Sequence, residues 1–120
     1  MGSLLVHITH GPEAPTRAAL GCLVAKAAVE AGHEVTLFLA GDGASLIKPA
    51  VIENLGGLGT GKLADSMTAL VEAEVPIYVS GMSAKGRGVT DADLEAVGGT
   101  FAMPAKLVEL TFENDRALVY

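Results

Sequence analysis

The 120-residue chain is half apolar, carries a formal net charge of −6 and contains one cysteine, and each of these facts removes a class of function. The length admits one domain, residues 1–120, and eight basic residues scattered among fourteen acidic ones give no cationic patch for nucleic acid. A single thiol excludes an internal disulfide and a cysteine-rich zinc site, and no apolar run approaches the ~20 residues of a membrane span.

The start, Met1-Gly2-Ser3-Leu4-Leu5-Val6, lacks the basic head and long apolar stretch of a signal peptide, and Val6 stands where a myristoylation signal needs Ser or Thr. A soluble, cytoplasmic protein is expected. Aromatic content is 4% with no Trp, so platforms for stacking bases are missing too. The mean hydropathy of +0.44 is high for so small a body. The surplus apolar surface predicts a homo-oligomer.

Leu4 to Thr9 reads as a largely buried strand ending at His10-Gly11-Pro12. A helix follows from about Pro15 to Ala31, with Pro in its first turn and Gly32 just beyond its end. Glu34 to Ala40 is the second strand, closed by Gly41-Asp42-Gly43. Ala44 to Leu55 is a short helical piece broken near Pro49, and Gly56 to Gly61 a flexible loop. Leu63 to Ala73 is a second long helix, and Pro76 to Ser80 the third strand. Gly81 to Gly88 forms a turn plus helix, and Asp91 to Val97 a helix opening at an acidic cap. Thr100 to Ala102 is a short strand, Pro104 to about Asn114 a helix, and Ala117 to Tyr120 the last strand.

Five strands alternating with helices predict an α/β, three-layer α/β/α domain with a five-stranded parallel sheet covered on both faces. Ligands of such sheets sit off the carboxyl ends of the strands, which selects His10-Gly11, Gly41-Asp42, Ser80-Gly81 and Met103-Pro104. The first helix is apolar nearly all round, with only Lys26 and Glu30 charged past its first turn. Such a helix is buried on more than one side, one facing the sheet and another facing a neighbouring subunit.

Several motifs have an ordinary reading that outweighs the sharper one. Gly56-Gly57-Leu58-Gly59-Thr60-Gly61-Lys62 matches a phosphate loop up to its Lys, but Leu63 stands where a magnesium-ligating hydroxyl belongs. It is read as a glycine connection. His7, His10 and His33 form no metal set: the first two point to opposite faces and the third lies at the far end of the sheet. No metal and no cofactor are indicated. His7 is assigned to packing. His10, at a strand end, suits an acid, base or hydrogen-bonding role.

Ser80 ends the third strand where a helix opens, and free amides with Lys85 and Arg87 nearby would favour an anion. A thiol there would be held as thiolate, whereas a hydroxyl would need an adjacent base to act as a nucleophile. The simpler role for Ser80 and Ser83 is helix capping. Cys22, mid-helix, is read as a small core hydrophobe.

Val79-Ser80-Gly81-Met82-Ser83-Ala84-Lys85-Gly86-Arg87-Gly88 resembles a segment of the DsrE/DsrF/DsrH-like (YchN-like) family, in which a cysteine ends the third strand and Arg-Gly follows seven and eight residues later. His10-Gly11-Pro12, Ala31-Gly32-His33-Glu34-Val35, Phe38-Leu39-Ala40-Gly41-Asp42-Gly43, the passage Leu70 to Val79 and the ending Leu107 to Leu118 fit as well. The similarity spans essentially the whole chain.

It implies a parallel five-stranded α/β fold and trimers or hexamers. In cysteine-bearing members it also implies a sulfur relay, in which the thiol accepts a persulfide sulfur and passes it on. Here the matching position is Ser80, whose oxygen cannot carry sulfane sulfur, and Cys22 lies in the wrong element to substitute. The expected function is therefore a non-catalytic or accessory family protein that binds a small anionic ligand or a partner protein. Ser80, Ser83 and Arg87 would supply the contacts, with His10, Asp42 and Gly81 around them. The alternatives are an enzyme using His10 or Ser80, or a structural subunit of a sulfur-relay complex.

Overall fold

The computed structural model describes residues 1–120. Strand β1 spans Ser3–Ile8 and helix α1 Pro15–Glu30; β2, Glu34–Leu39, leads through a 3-10 helix, Gly41–Ile47, into α2, Pro49–Asn54. Two very short strands, β3 (Gly56–Gly57) and β4 (Gly61–Lys62), precede α3, Leu63–Glu72. The chain closes with β5 (Ile77–Ser80), α4 (Gly81–Lys85), α5 (Asp91–Ala96), β6 (Gly99–Ala102), α6 (Pro104–Glu113) and β7 (Arg116–Val119).

Local chemistry accounts for most of these boundaries. Proline occupies the first turn of α1, α2 and α6, where its missing N–H costs nothing. Gly32, at φ +88°, ends α1 in a conformation that L side chains rarely adopt. The fifth helix opens on a capping box rather than on the acidic cap expected at Asp91: the Thr90 hydroxyl accepts from the Asp93 N–H, and the Asp93 carboxylate accepts from the Thr90 N–H.

All five strands of the main sheet run parallel, in the order β6-β5-β2-β1-β7. The crossovers β1 to β2, β2 to β5 and β5 to β6 step the same way along the sheet, so right-handed connections place their helices on one face. The last crossover returns from one edge to the other and puts α6 on the opposite face. The two outer layers are therefore unequal.

On the first face Val6, Ile8, Leu37, Leu39, Ile77 and Val79 pack against Ala18, Cys22, Ala25, Leu63, Met67 and Leu70, all buried. Fully burying such aliphatic side chains stabilises by about 1.5–3 kcal/mol each. The second face is thin: Leu5 and Phe38 are buried against Leu110, with Tyr78, Ala102 and Leu107 half-buried around them. Every residue of β7 is exposed.

Two expectations change. The glycine segment is not a loose loop, since β3 and β4 pair antiparallel through Gly56–Lys62 and Gly57–Gly61. Its turn is pinned to α1 by the Leu58 N–H, which donates to Thr16 Oγ1 at 3.1 Å. The paired glycines form a short hairpin against the first turns of α1, not a loop that opens a helix directly after a buried strand, so the phosphate-loop resemblance does not hold. Secondly, much of the outer side of α1 is met within the chain by α3 and this hairpin. Leu20 and Leu23 stay about one-third exposed.

Candidate functional site

The chain leaves β5 towards one face of the sheet, into α4, and leaves β6 towards the other, into α6. The carboxyl ends of β5 and β6 therefore flank a topological switch point, where open α/β sheets take their ligands. Ser80 and Ala102, which pair across these strands, mark its floor. Met82 and Met103 stand exposed beside it, and Phe101 is about one-third exposed.

The Ser80 hydroxyl caps α4, accepting from the Ser83 N–H at 3.3 Å. The helix is a single turn, and one of its free amides is already taken by this cap. Ser83 Oγ accepts from the Gly41 N–H at 2.9 Å, tying the end of β5 to the end of β2. Gly41 holds φ +56°, a left-handed conformation that favours glycine, and this turn carries Asp42 beside α4.

Arg87 binds this arrangement together. Its Nε and Nη2 donate to Asp42 Oδ1 at 3.1 and 2.9 Å, its Nη1 donates to the Ser83 carbonyl at 3.1 Å, and its own carbonyl accepts from Lys48 Nζ at 2.9 Å. Three of the guanidinium's N–H groups are thus committed, and Asp42 offsets its charge. The Arg87 side is less inviting to an anion than Ser80, Lys85 and Arg87 suggest from sequence.

His10 lies on the far flank of Asp42. Gly11 packs so closely on the Asp42 carbonyl that a Cβ there would collide with it, which locks the loop after β1 to the loop after β2. His10 Nδ1 is 2.8 Å from Glu13 Oε2, and the Gly11 N–H donates to Glu13 Oε1 at 2.6 Å. Desolvation raises the Glu13 pKa, but the bonds from Gly11 and His10 together outweigh it and hold the carboxyl below its ordinary value. Arg17 Nη1 stands 3.5 Å from His10 Nε2. His10 makes no hydrogen bond to Ser80, so the two do not form a base–nucleophile pair.

The six residues singled out from sequence, His10, Asp42, Ser80, Gly81, Ser83 and Arg87, thus lie along one connected run across three strand ends. Glu13, Arg17 and Lys48 belong to the same neighbourhood and were missed. Glu13 sits three residues after His10, so a nearby carboxylate was there to be noticed, whereas the pairing of Lys48 with Arg87 leaves no trace in sequence.

The other two candidates behave as packing groups. Cys22 is fully buried, and desolvation pushes its thiol up to about 12. His7 stands edge-on to Phe38, with ring centroids 5.6 Å apart, and burial lowers its pKa.

None of the five main surface hollows is lined by His10, Asp42, Ser80, Gly81, Ser83 or Arg87. The hollow between α2 and α3, about 330 Å³, reaches Ala96 and Val97 and carries Glu53 and Glu72 on its rim. Another, about 770 Å³, opens along the first turns of α1 towards Val119 and Tyr120 and includes Arg17.

The DsrE/DsrF-like family pattern matches residues 2–120. The chain belongs to that family. Membership suggests a sulfur-relay-related protein. The YchN protein of E. coli is similar over 100% of both chains, with a TM-score of 0.79 at 18% identity. A conserved protein of unknown function from Bacteroides thetaiotaomicron, BT1422, is similar over 99% of this chain and 95% of its own, with a TM-score of 0.64 at 13% identity. At these identities the likeness concerns the fold. No curated protein sequence matches the chain. No helix of this DsrE/DsrF-like chain is long and apolar enough to cross a membrane.

Proposed function

We propose that the chain is an accessory DsrE/DsrF-like protein that carries no sulfur itself and binds a partner protein or a small anion at the carboxyl ends of its strands. The carrying observation is the state of Ser80: an alcohol oxygen occupied in capping α4, with no hydrogen-bonded base to activate it. Cys22 cannot stand in for it, being buried and held as a neutral thiol.

The crevice beside Ser80 favours a protein over an engulfed small molecule. None of the five main hollows opens at Ser80, and two flexible methionine side chains, Met82 and Met103, stand exposed nearby. The Arg87–Asp42 pair lies alongside as a fixed polar landmark.

The test is affinity isolation from the native host of the wild type and of the Met82→Asp, Met103→Asp double variant. A specific chain retained by the wild type and lost by a folded double variant supports the proposal. Retention of the same chains by both contradicts it, as does a turnover activity that Ser80→Ala abolishes in a folded protein.

A further inference from the structure

The hollow of about 330 Å³ between α2 and α3 lies in a seam of the thicker helical layer. Helix α3 packs against α1 and α2, whereas α5 rests mainly on β6, and the gap beside α3 is floored by the buried Ile47, Met67 and Val97. Val71 adds to its apolar wall. Two carboxylates stand on its rim, Glu53 in the last turn of α2 and Glu72 as the last residue of α3. The carboxyl end of a helix already carries partial negative charge, which disfavours acidic residues there and favours basic ones. Yet neither last turn holds a basic residue, and neither glutamate forms an ion pair. None of the eight Lys and Arg residues of the chain lines the hollow. Two uncompensated carboxylates, set against the helix dipole beside an apolar wall, complement a cation with an apolar body.

We propose that this hollow binds a small organic ammonium, its apolar body against Met67, Val71 and Val97 and its charged head on Glu53 and Glu72. The volume is at the lower end of the range for small-molecule sites, which suits a single ring or a short alkyl chain. Burial of that body supplies most of the affinity. The carboxylates are exposed, so water and salt screen their pull on the head, and they select for charge more than they add strength. Met67, with an unbranched and flexible thioether, lets the floor adjust to the body it receives. The site shares no residue with the crevice beside Ser80 and does not depend on whether this chain carries sulfur.

The experiment is calorimetric titration of the full chain at neutral pH with benzylamine, which is cationic there. Benzyl alcohol supplies the ring without the charge, and methylamine the charge without the ring. The expected result is saturable benzylamine binding in the millimolar range or tighter, benzyl alcohol weaker by about fivefold or more, and no saturable binding of methylamine. Glu53→Gln and Glu72→Gln should each weaken benzylamine binding by about twofold to fivefold. Glu113→Gln, which removes the same charge from α6 on the opposite face of the sheet, should leave it unchanged. Thr68→Phe, which adds a ring to the wall of the hollow, should abolish it.

Absence of saturable benzylamine binding in the millimolar range overturns the inference. So does equal binding of benzyl alcohol or methylamine, equal loss in Glu113→Gln, or binding that survives Thr68→Phe. If no amine binds and Thr68→Phe instead lowers the mass seen by light scattering, the hollow belongs to a second copy of the chain and the inference fails. Thermal melts establish that each variant is folded, and the glutamine variants carry the test should Thr68→Phe not fold. Benzylamine binding with these dependences stands even if the methionine crevice proves to have no partner, and its failure leaves the crevice untouched.

Discussion

Asp42 Oδ1 accepts from both Nε and Nη2 of Arg87, at 3.1 and 2.9 Å, and so joins the turn after β2 to the turn after α4. The pair is roughly one-third to one-half exposed, so solvent screening limits the ion pair itself to about 1 kcal/mol or less. Arg87→Ala loses more than Asp42→Ala, because Arg87 also holds the Ser83 carbonyl. Urea unfolding should give about 1–2 kcal/mol for Arg87→Ala and under about 1 kcal/mol for Asp42→Ala. The reverse order would mean that the carboxylate, not the guanidinium, organises these turns.

Cys22 is sealed against the sheet, and desolvation pushes its thiol up to about 12. Thiol reagents should label the native protein only as fast as it opens, and the unfolded protein at once. Cys22→Ser, which places a hydroxyl in an apolar site, should cost about 1–3 kcal/mol in urea unfolding. Rapid labelling of the folded chain would contradict the burial on which this rests.

Much of this domain is legible in its sequence, for identifiable reasons. Buried parallel strands such as Leu37-Phe38-Leu39 are short apolar runs, and Pro15, Gly32, Pro49 and Pro104 punctuate the helices. The antiparallel pairing at Gly56–Gly57 and Gly61–Lys62 left no such signal, because glycine shows neither hydrophobic periodicity nor strand propensity. Nor does local pattern give strand order, so covering by α6 alone could not be foreseen.

The candidate site was located by topology: residues after strand ends gather there whatever their identity, and Ser80, Asp42 and His10 qualify on that ground. Their partners are another matter. Arg87 reads as a free cation until the fold brings in Asp42, and Arg17 reads as a helix surface charge until the fold brings in His10 Nε2.

Burial holds His7 below its ordinary value of 6.5, with Nε2 enclosed and unpartnered. The folded chain keeps this imidazole neutral, while the unfolded chain takes up a proton as the pH falls. The contribution of His7 to stability is therefore present in full above about pH 6.5 and lost progressively as the pH drops towards the folded value. Between about pH 7.5 and 5.5 the wild type should lose more stability than His7→Phe, measured by urea unfolding. Parallel pH profiles would show that the His7 imidazole titrates alike in the folded and the unfolded chain, which contradicts the effect of its burial.

The second face of the sheet bears on assembly. Phe112 is 87% exposed on α6, with Val108 on the same helix, Met103 just before it and Val119 on β7 also uncovered. A surface of this kind marks an interaction site. We expect light scattering at micromolar concentration to give a mass well above the 12.2 kDa of one chain, and Phe112→Glu to lower it. A monomeric wild type would remove the expectation of a homo-oligomer. An assembly unmoved by Phe112→Glu would place the interface elsewhere, with the one-third-exposed Leu20 and Leu23 of α1 the next surface to test.

Whether position 80 can hold sulfur is read directly by intact-protein mass spectrometry after incubation with a persulfide donor. The wild type should retain no added sulfur atom, and Ser80→Cys should gain one. Stable sulfur on the native chain that persists in Cys22→Ala would contradict the proposal that this protein serves without carrying sulfur.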